Sequence, residues 1–381
     1  MPKPSSKSRP LAMASHVDGY VFAWYSYQLS KKYEAEIRGA GLHDCILAYR
    51  PRNGTNITMA EAAFSDIAQR DACIAVALDL KDFFPSIDHA TLRANWARVL
   101  GTVGLPPDHF AVFRAMTIFS EVDRKACLER LGIDPTKDRI PRPICNGKQF
   151  RDAIRRGPPG AATLVSRHGL PHGIPQGSPI SALLSNIYML EFDARMQIEA
   201  AAMGGSYRRY SDDILFIVEP KVTEADIVKV VEDGLALLGS AMKLNAGKTE
   251  SARFLRDAAG RLECDSPNGI QYLGFTFDGE RRLIRSQTMS KYARRLVYAI
   301  RGAKKAGLKA GLAAHRRAVY RQFSHLGKSN FISRYVKAAK TAMPGDDIRR
   351  QVRPHMRRIA NAFAAPDPSR PLSGAEKLGL D

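Results

Sequence analysis

Paired cysteines are missing from this chain of 381 residues: its five cysteines (Cys45, Cys73, Cys127, Cys145 and Cys264) are odd in number, far apart and form no C-x-x-C. That spacing argues against a disulfide framework and against a zinc site, leaving reduced and mostly structural thiols. No stretch approaches 18 uninterrupted apolar residues, so no membrane partner is expected. The segment LAMASHVDGYVFAWYS is broken by His16 and Asp18 and is no secretory leader. The expected location is cytoplasmic. Internal repeats and long low-complexity segments are absent as well, which excludes a solenoid.

Acidic residues are scarce in one region only. Across 281–362, 22 Lys and Arg stand against Asp346 and Asp347, so this segment accounts for the whole net charge of +20. A solvated helix face usually mixes signs, whereas a one-sided positive block is the electrostatic footprint of a polyphosphate partner. The rest of the chain is ordinary. With 45% hydrophobic and 25% charged residues, it has room for two or three packed units.

The apolar pattern places several elements. Residues 20–40 read as a helix, and CIAVALDLKDFF (73–84) opens with a strand that delivers Asp79 at its C-terminal end. Between about 101 and 172 no element can be placed. GIPQGSPISALLSNIYMLEFDAR reads as a loop entering a helix with Ser178 as N-cap, Pro179 at the first helical position, and Ile180, Leu183, Leu184 and Ile187 on one apolar face. RRYSDDILFIVEP reads as a hairpin turning at Ser-Asp-Asp, followed by a helix that Thr223 and Asp226 cap reciprocally. IQYLGFTFDGERRLI (270–284) reads as a hairpin with an Asp-Gly turn, and a basic helical segment runs from there to about 362.

Asp212 and Asp213 open a run as apolar as Ile-Leu-Phe-Ile-Val, where adjacent carboxylates about 4 Å apart repel by roughly 4 kcal/mol at an effective dielectric near 20. If this strand neighbours the one ending at Asp79, three acids meet. Oxygen-only ligands suit Mg²⁺, and two such ions about 3.5–4 Å apart serve in-line phosphoryl displacement.

ALDLKDFF, GIPQGSP, YSDD, LNAGKTE and QYLGF stand in the order and approximate spacing of the reverse transcriptase palm. Over about 73–277 the chain resembles a bacterial reverse transcriptase, closest to the defence-associated enzymes related to retron and abortive-infection proteins. The resemblance implies an α+β right-hand polymerase whose antiparallel palm sheet is covered by helices. It places an N-terminal helical segment and fingers at 1–72, a palm at 73–284 with an insertion at about 101–172, a basic helical thumb at 285–363 and a loose tail at 364–381.

Carried onto this sequence, the resemblance makes Asp79, Asp212 and Asp213, with the Leu80 carbonyl, the ligands of two Mg²⁺ ions. Lys248 in LNAGKTE becomes the proton donor to departing pyrophosphate, and Phe84 the aromatic that blocks a ribose 2′-hydroxyl. Gln176 contacts the incoming nucleotide, with Arg50 or Arg52 on its triphosphate, and Tyr272, Leu273 and Gly274 grip the primer. Arg294, Arg295, Lys304, Arg316 and Arg317 hold nucleic acid. The implied partners are dNTPs, a DNA product and an RNA template, with a cognate noncoding RNA expected. Template-independent or protein-primed synthesis, and a scaffold without catalysis, stay open as alternatives, and the oligomeric state is unknown.

Overall fold

The computed structural model describes residues 11–51, 54–134, 140, 143–157, 159–310 and 312–364. In chain order the elements begin with α1 (His16–Gly39), α2 (Asn56–Gln69), β1 (Ala72–Lys81), a 3-10 turn (Phe84–Ser86), α3 (His89–Leu100) and α4 (Pro107–Thr117). Next come β2 (Ser120–Val122), α5 (Arg124–Arg130), α6 (Gly147–Gln149) with a π turn (Phe150–Arg156), β3 (Val165–Arg167), α7 (Ser181–Tyr188) and α8 (Leu190–Ala202). They are followed by β4 (Ser206–Tyr210), β5 (Asp213–Val218), α9 (Glu224–Ala236), β6 (Lys243–Leu244), a 3-10 turn (Ala246–Lys248), β7 (Glu250–Arg256) and β8 (Leu262–Cys264). The last are β9 (Ile270–Tyr272), β10 (Phe275–Phe277), β11 (Arg282–Ile284), α10 (Ser286–Ala310), α11 (Leu312–Phe323), a π turn (Ile332–Val336), α12 (Lys337–Ala342) and α13 (Asp347–Ala362).

These residues fall into two compact units. The first takes its residues from Met1–Arg50, Leu80–Ile198 and Lys229–Asn245, the second from Pro51–Asp79, Glu199–Val228 and Ala246–Asp381.

In the first unit α1, α3 and α7 pack together. Trp96 of α3 is fully buried edge-on to Phe113 of α4, and its indole donates to His109. Buried amides join chain segments: Asn95 donates to the Tyr188 carbonyl and Asn186 to the Ala48 carbonyl. Helix α7 starts at Ser181, later than the expected cap at Ser178, because the Ser181 hydroxyl turns back to the Pro175 carbonyl at 2.6 Å and holds Ser178–Ile180 outside the helix. It is also buried almost all round, so Ser185 and Asn186 share the core with Leu183, Leu184 and Ile187. The stretch where no element was placed holds α4, β2, α5, the α6 and π turns and β3. Its strands are three residues long, too short for an apolar period to register.

The second unit centres on a sheet in the order β4-β5-β1-β7-β8, antiparallel throughout. Strand β5 is buried from Ile214 to Val218, which explains its unbroken apolar run. Strands β9, β10 and β11 form a second antiparallel sheet. The expected Asp-Gly hairpin is there as β10 and β11, with Asp278 accepting from the Glu280 and Arg281 amides. Beyond it, α10 and α11 pack on each other, and Tyr292 meets Phe323, Phe331 and His355. This is the expected α+β class, consistent with a right-hand polymerase fold followed by a basic helical segment. The expected tail lies, apart from Ala364, outside the described residues, and no helix among those described is long and apolar enough to cross a membrane.

Phe277 closes the second unit's core, stacked between Phe64 of α2 (5.4 Å) and Phe254 of β7 (5.8 Å), with all three rings buried. Phe277→Ala should remove about 3–5 kcal/mol of unfolding free energy. Urea denaturation measures it, and an unshifted midpoint would show that the stack does not hold this core.

Candidate active site

The sheet register builds the site. Asp79 of β1 lies directly opposite Asp213 of β5, a pairing that puts Cβ atoms about 4.5–5.5 Å apart on one face. Asp212 precedes Asp213 in a two-residue turn, where Ser211 takes a left-handed φ of +61°. Three carboxylates are thereby confined to one end of two strands.

Two cations face them. Lys248, presented by the 3-10 turn before β7, places its ammonium 2.8 Å from Oδ1 and 2.7 Å from Oδ2 of the largely buried Asp79. Arg285 follows β11, and its Nε is buried with no hydrogen-bond partner among the described residues. Burial pushes the Asp213 carboxyl up to about 7, the negative charges of Asp212 and Asp79 push the same way, and Lys248 and Arg285 oppose them. The cup is short of positive charge.

The donor set fits a divalent cation in kind, since it is all oxygen and already draws an ammonium onto Asp79. Among the described residues, no three acid, histidine or cysteine side chains stand as a ready cage.

The hairpin expected to grip the primer lies in the same unit. Leu273 (φ +47°) and Gly274 (φ +92°) form the two-residue turn between β9 and β10, and positive φ at both is the requirement of a type I′ turn. Leucine there is strained by about 1–2 kcal/mol. The turn is held by Asn56, whose amide donates to the Leu273 carbonyl at 3.0 Å, and by the Arg285 N–H on the Gly274 carbonyl, also at 3.0 Å. The Tyr272 hydroxyl is buried without a hydrogen-bond partner among the described residues, and burial pushes its pKa up.

In the first unit, the Phe84 segment and the Gly173–Gly177 loop are laced together. Ile174 N–H donates to the Phe84 carbonyl, Gly173 N–H to that of Ile87, and the His172 ring to that of Pro85. A Cβ on Gly173 (φ +97°) would lie 2.9 Å from the Pro85 carbonyl oxygen. Phe84 is buried edge-on to Phe83. Gln176 is half-buried, and its carbonyl accepts from Ala12. The close approach that Gly177 permits is made by Ala12 of the protein's own N-terminal segment. Leu80 is buried and pairs with Leu244 of β6.

Arg50 corrects an expectation. Its buried guanidinium pairs bidentately with Glu34 and donates to the His43 and Ile46 carbonyls and the His43 ring, so all five N–H groups are engaged and none is left for a triphosphate. Arg52 lies outside the described residues. Arg294, Arg295 and Lys304 are exposed on α10, opposite a buried stripe of Met289, Tyr292, Leu296 and Ile300. Arg316 and Arg317 are exposed on α11, with the Arg316 guanidinium 5.7 Å above the Tyr320 ring. Asn56 and Arg285 escaped the sequence reading. Arg285 stands in a run with Arg281 and Arg282 that gives no local sign of which cation faces the acids, and Asn56 is 217 residues from the carbonyl it holds.

Residues 114–277 match the family described as reverse transcriptase (RNA-dependent DNA polymerase), and a reverse transcriptase domain is therefore present. No curated protein matches. Among solved structures, apo telomerase from Candida tropicalis is similar at 15% identity and a TM-score of 0.41, covering 90% of this chain and 53% of that one. Telomerase from Candida albicans in complex with a TWJ fragment of telomeric RNA is similar at 11% identity and a TM-score of 0.42, covering 91% and 51%. The chain spans about half the length of these two structures.

The raised Asp213 carboxyl has a stability consequence. An acid whose folded pKa is raised binds more protons folded than unfolded, so stability falls as pH rises between about 4 and about 7. Asp213→Asn should be more stable than wild type at about pH 8 in EDTA, with the difference closing toward about pH 4. Thermal melts across that range test it, and a pH-independent difference would contradict the assignment.

Proposed function

We propose that the chain is an RNA-directed DNA polymerase that extends a primer from dNTPs by phosphoryl transfer. The observation that carries it is Asp79 standing opposite Asp213, with Asp212 beside it and an ammonium drawn onto Asp79. Asp79, Asp212 and Asp213, with the Leu80 carbonyl, are assigned as the ligands of two Mg²⁺ ions. When bound, these would activate the attacking hydroxyl and offset charge on the phosphate.

The chain's own groups then have distinct tasks. Lys248, released from Asp79, donates its proton to the departing pyrophosphate oxygen, where an ammonium meets growing negative charge. The Leu273–Gly274 turn holds the primer end, because positioning supplies much of the rate in such reactions. Phe84 excludes a 2′-hydroxyl and Gln176 contacts the nucleotide. The exposed cations of α10 and α11 take phosphates of template and product, with affinity that falls steeply as salt rises. The setting we assign, from the motif resemblance, is the cytoplasm of a bacterium, in antiphage defence with a cognate noncoding RNA as template.

The test supplies nuclease-treated protein with Mg²⁺, labelled dNTPs and poly(rA)/oligo(dT). Wild type should incorporate dTMP and Asp212→Ala should lose about 10³-fold or more, since several kcal/mol of transition-state stabilisation go with a metal ligand. Equal incorporation by both proteins would end the reading. Phe84→Ala should incorporate ribonucleotides that wild type rejects, and unchanged sugar selectivity would remove Phe84 from the gate.

A further inference from the structure

Helix α1 has two apolar faces, and the fold uses one of them. Phe22, Leu29, Tyr33 and Ile37 are buried in the first unit. On the opposite side, Val17 (73% exposed), Tyr20 (78%), Trp24 (58%) and Tyr27 (54%) face solvent. A surface helix normally carries charge there. Tyr25, at the edge of the buried face, shows what a satisfied tyrosine on this helix looks like: its hydroxyl donates to Asp108 and its ring meets His109 edge-on.

The exposed stripe has a period. Positions 17, 20, 24, 27 and 31 alternate steps of three and four, the a/d spacing of a helix that packs against another helix. Lys31 ends the seam with its ammonium 4.1 Å from the Tyr27 ring centre, and Trp24 and Tyr27 stand 6.2 Å apart. The flanking positions, Val21, Ala23, Gln28 and Ser30, carry no charge. Helix α1 as a whole is balanced, with Asp18, Glu34 and Glu36 against Lys31, Lys32 and Arg38.

We propose that α1 is a self-association surface, pairing antiparallel with α1 of a second copy. Antiparallel a–d layers set Val17 against Tyr27 of the second copy and Tyr20 against its Trp24, matching small to large and ring to ring. A parallel pair would stack Trp24 on Trp24 and Lys31 on Lys31. Antiparallel pairing also opposes the two helix dipoles. Met13 on the preceding segment, 90% exposed, adds a further apolar side chain next to the seam, and three of the seam's five positions are aromatic rings that bury large areas when paired. Aromatic side chains of this kind dominate interface energetics.

The chain contains its own reporter. It has two tryptophans, and Trp96 is fully buried, so acrylamide quenching reads Trp24. Nuclease-treated full-length protein is followed by sedimentation and quenching over a concentration series up to roughly 100 µM. Wild type should form a reversible dimer as Trp24 becomes shielded. Tyr20→Glu should raise the dimer dissociation constant at least about tenfold and keep Trp24 quenchable, and Val17→Lys should do the same through a second position. Circular dichroism confirms that both variants are folded. A wild-type monomer throughout the series, or a dimer that survives both substitutions, overturns the proposal. Shielding that appears only on adding a single-stranded oligonucleotide also overturns it, and assigns the stripe to nucleic acid instead.

Discussion

Mutual repulsion among Asp79, Asp212 and Asp213 is the constraint around which the second unit is arranged. The sheet imposes it, because its register sets Asp79 of β1 across from Asp213 of β5. Burial of that strand is what keeps the acids together, at roughly 1.5–3 kcal/mol for each large apolar side chain. Neighbouring elements answer the charge: Lys248 arrives before β7 and Arg285 after β11. Burial first, and then the charges of Asp212 and Asp79, still push the Asp213 carboxyl up to about 7 against the pull of both cations.

Strain is found beside this charge. Ser211 and Leu273 both sit at positive φ without the freedom of glycine, one in the turn that carries Asp212 and the other in the Leu273–Gly274 turn. Such conformations persist only where the surroundings over-determine them. For Leu273 the fastening is explicit: Asn56 holds its carbonyl, Arg285 N–H holds the next, and the Asn56 amide lies 3.4 Å from the Tyr335 hydroxyl, whose ring stacks on Phe275. A strained turn held at both carbonyls has little room to relax, and that rigidity would serve the primer-positioning role proposed for it.

What was legible in the sequence followed the strength of local signals. The strand ending at Asp79, the Ser-Asp-Asp turn, the Thr223–Asp226 cap and the basic helices are written in apolar period, turn residues and charge, and they are where expected. The middle of the chain was opaque because its elements are short and its helices are interrupted by a π turn. Helix α7 was misread at its start because a serine hydroxyl bonded backward instead of capping forward. Arg50 was misread because its partners, Glu34 and the His43 and Ile46 carbonyls, belong to a buried network that local composition does not announce. The Leu-Gly turn carries no Asn-Gly or Asp-Gly signature, so its geometry depends on contacts from α2, more than 200 residues earlier. Residue type marked the chemistry, and long-range packing decided which side chains were left to perform it.

The chain keeps two recognition chemistries apart in sequence. The excess positive charge is gathered into 281–362, where α10 and α11 expose Arg294, Arg295, Arg316 and Arg317, whereas the exposed α1 stripe is apolar and almost free of charge. Phosphate contacts release counterions and weaken by orders of magnitude as salt rises. Burial of valine and aromatic rings does not depend on counterions, and strongly excluded salts strengthen it. On the two proposals above, ionic strength would separate the surfaces physically: a condition that strips nucleic acid from the basic helices would leave an apolar helix pair intact. Had the aromatic stripe been interleaved with the basic segment, no salt concentration could address one surface without the other.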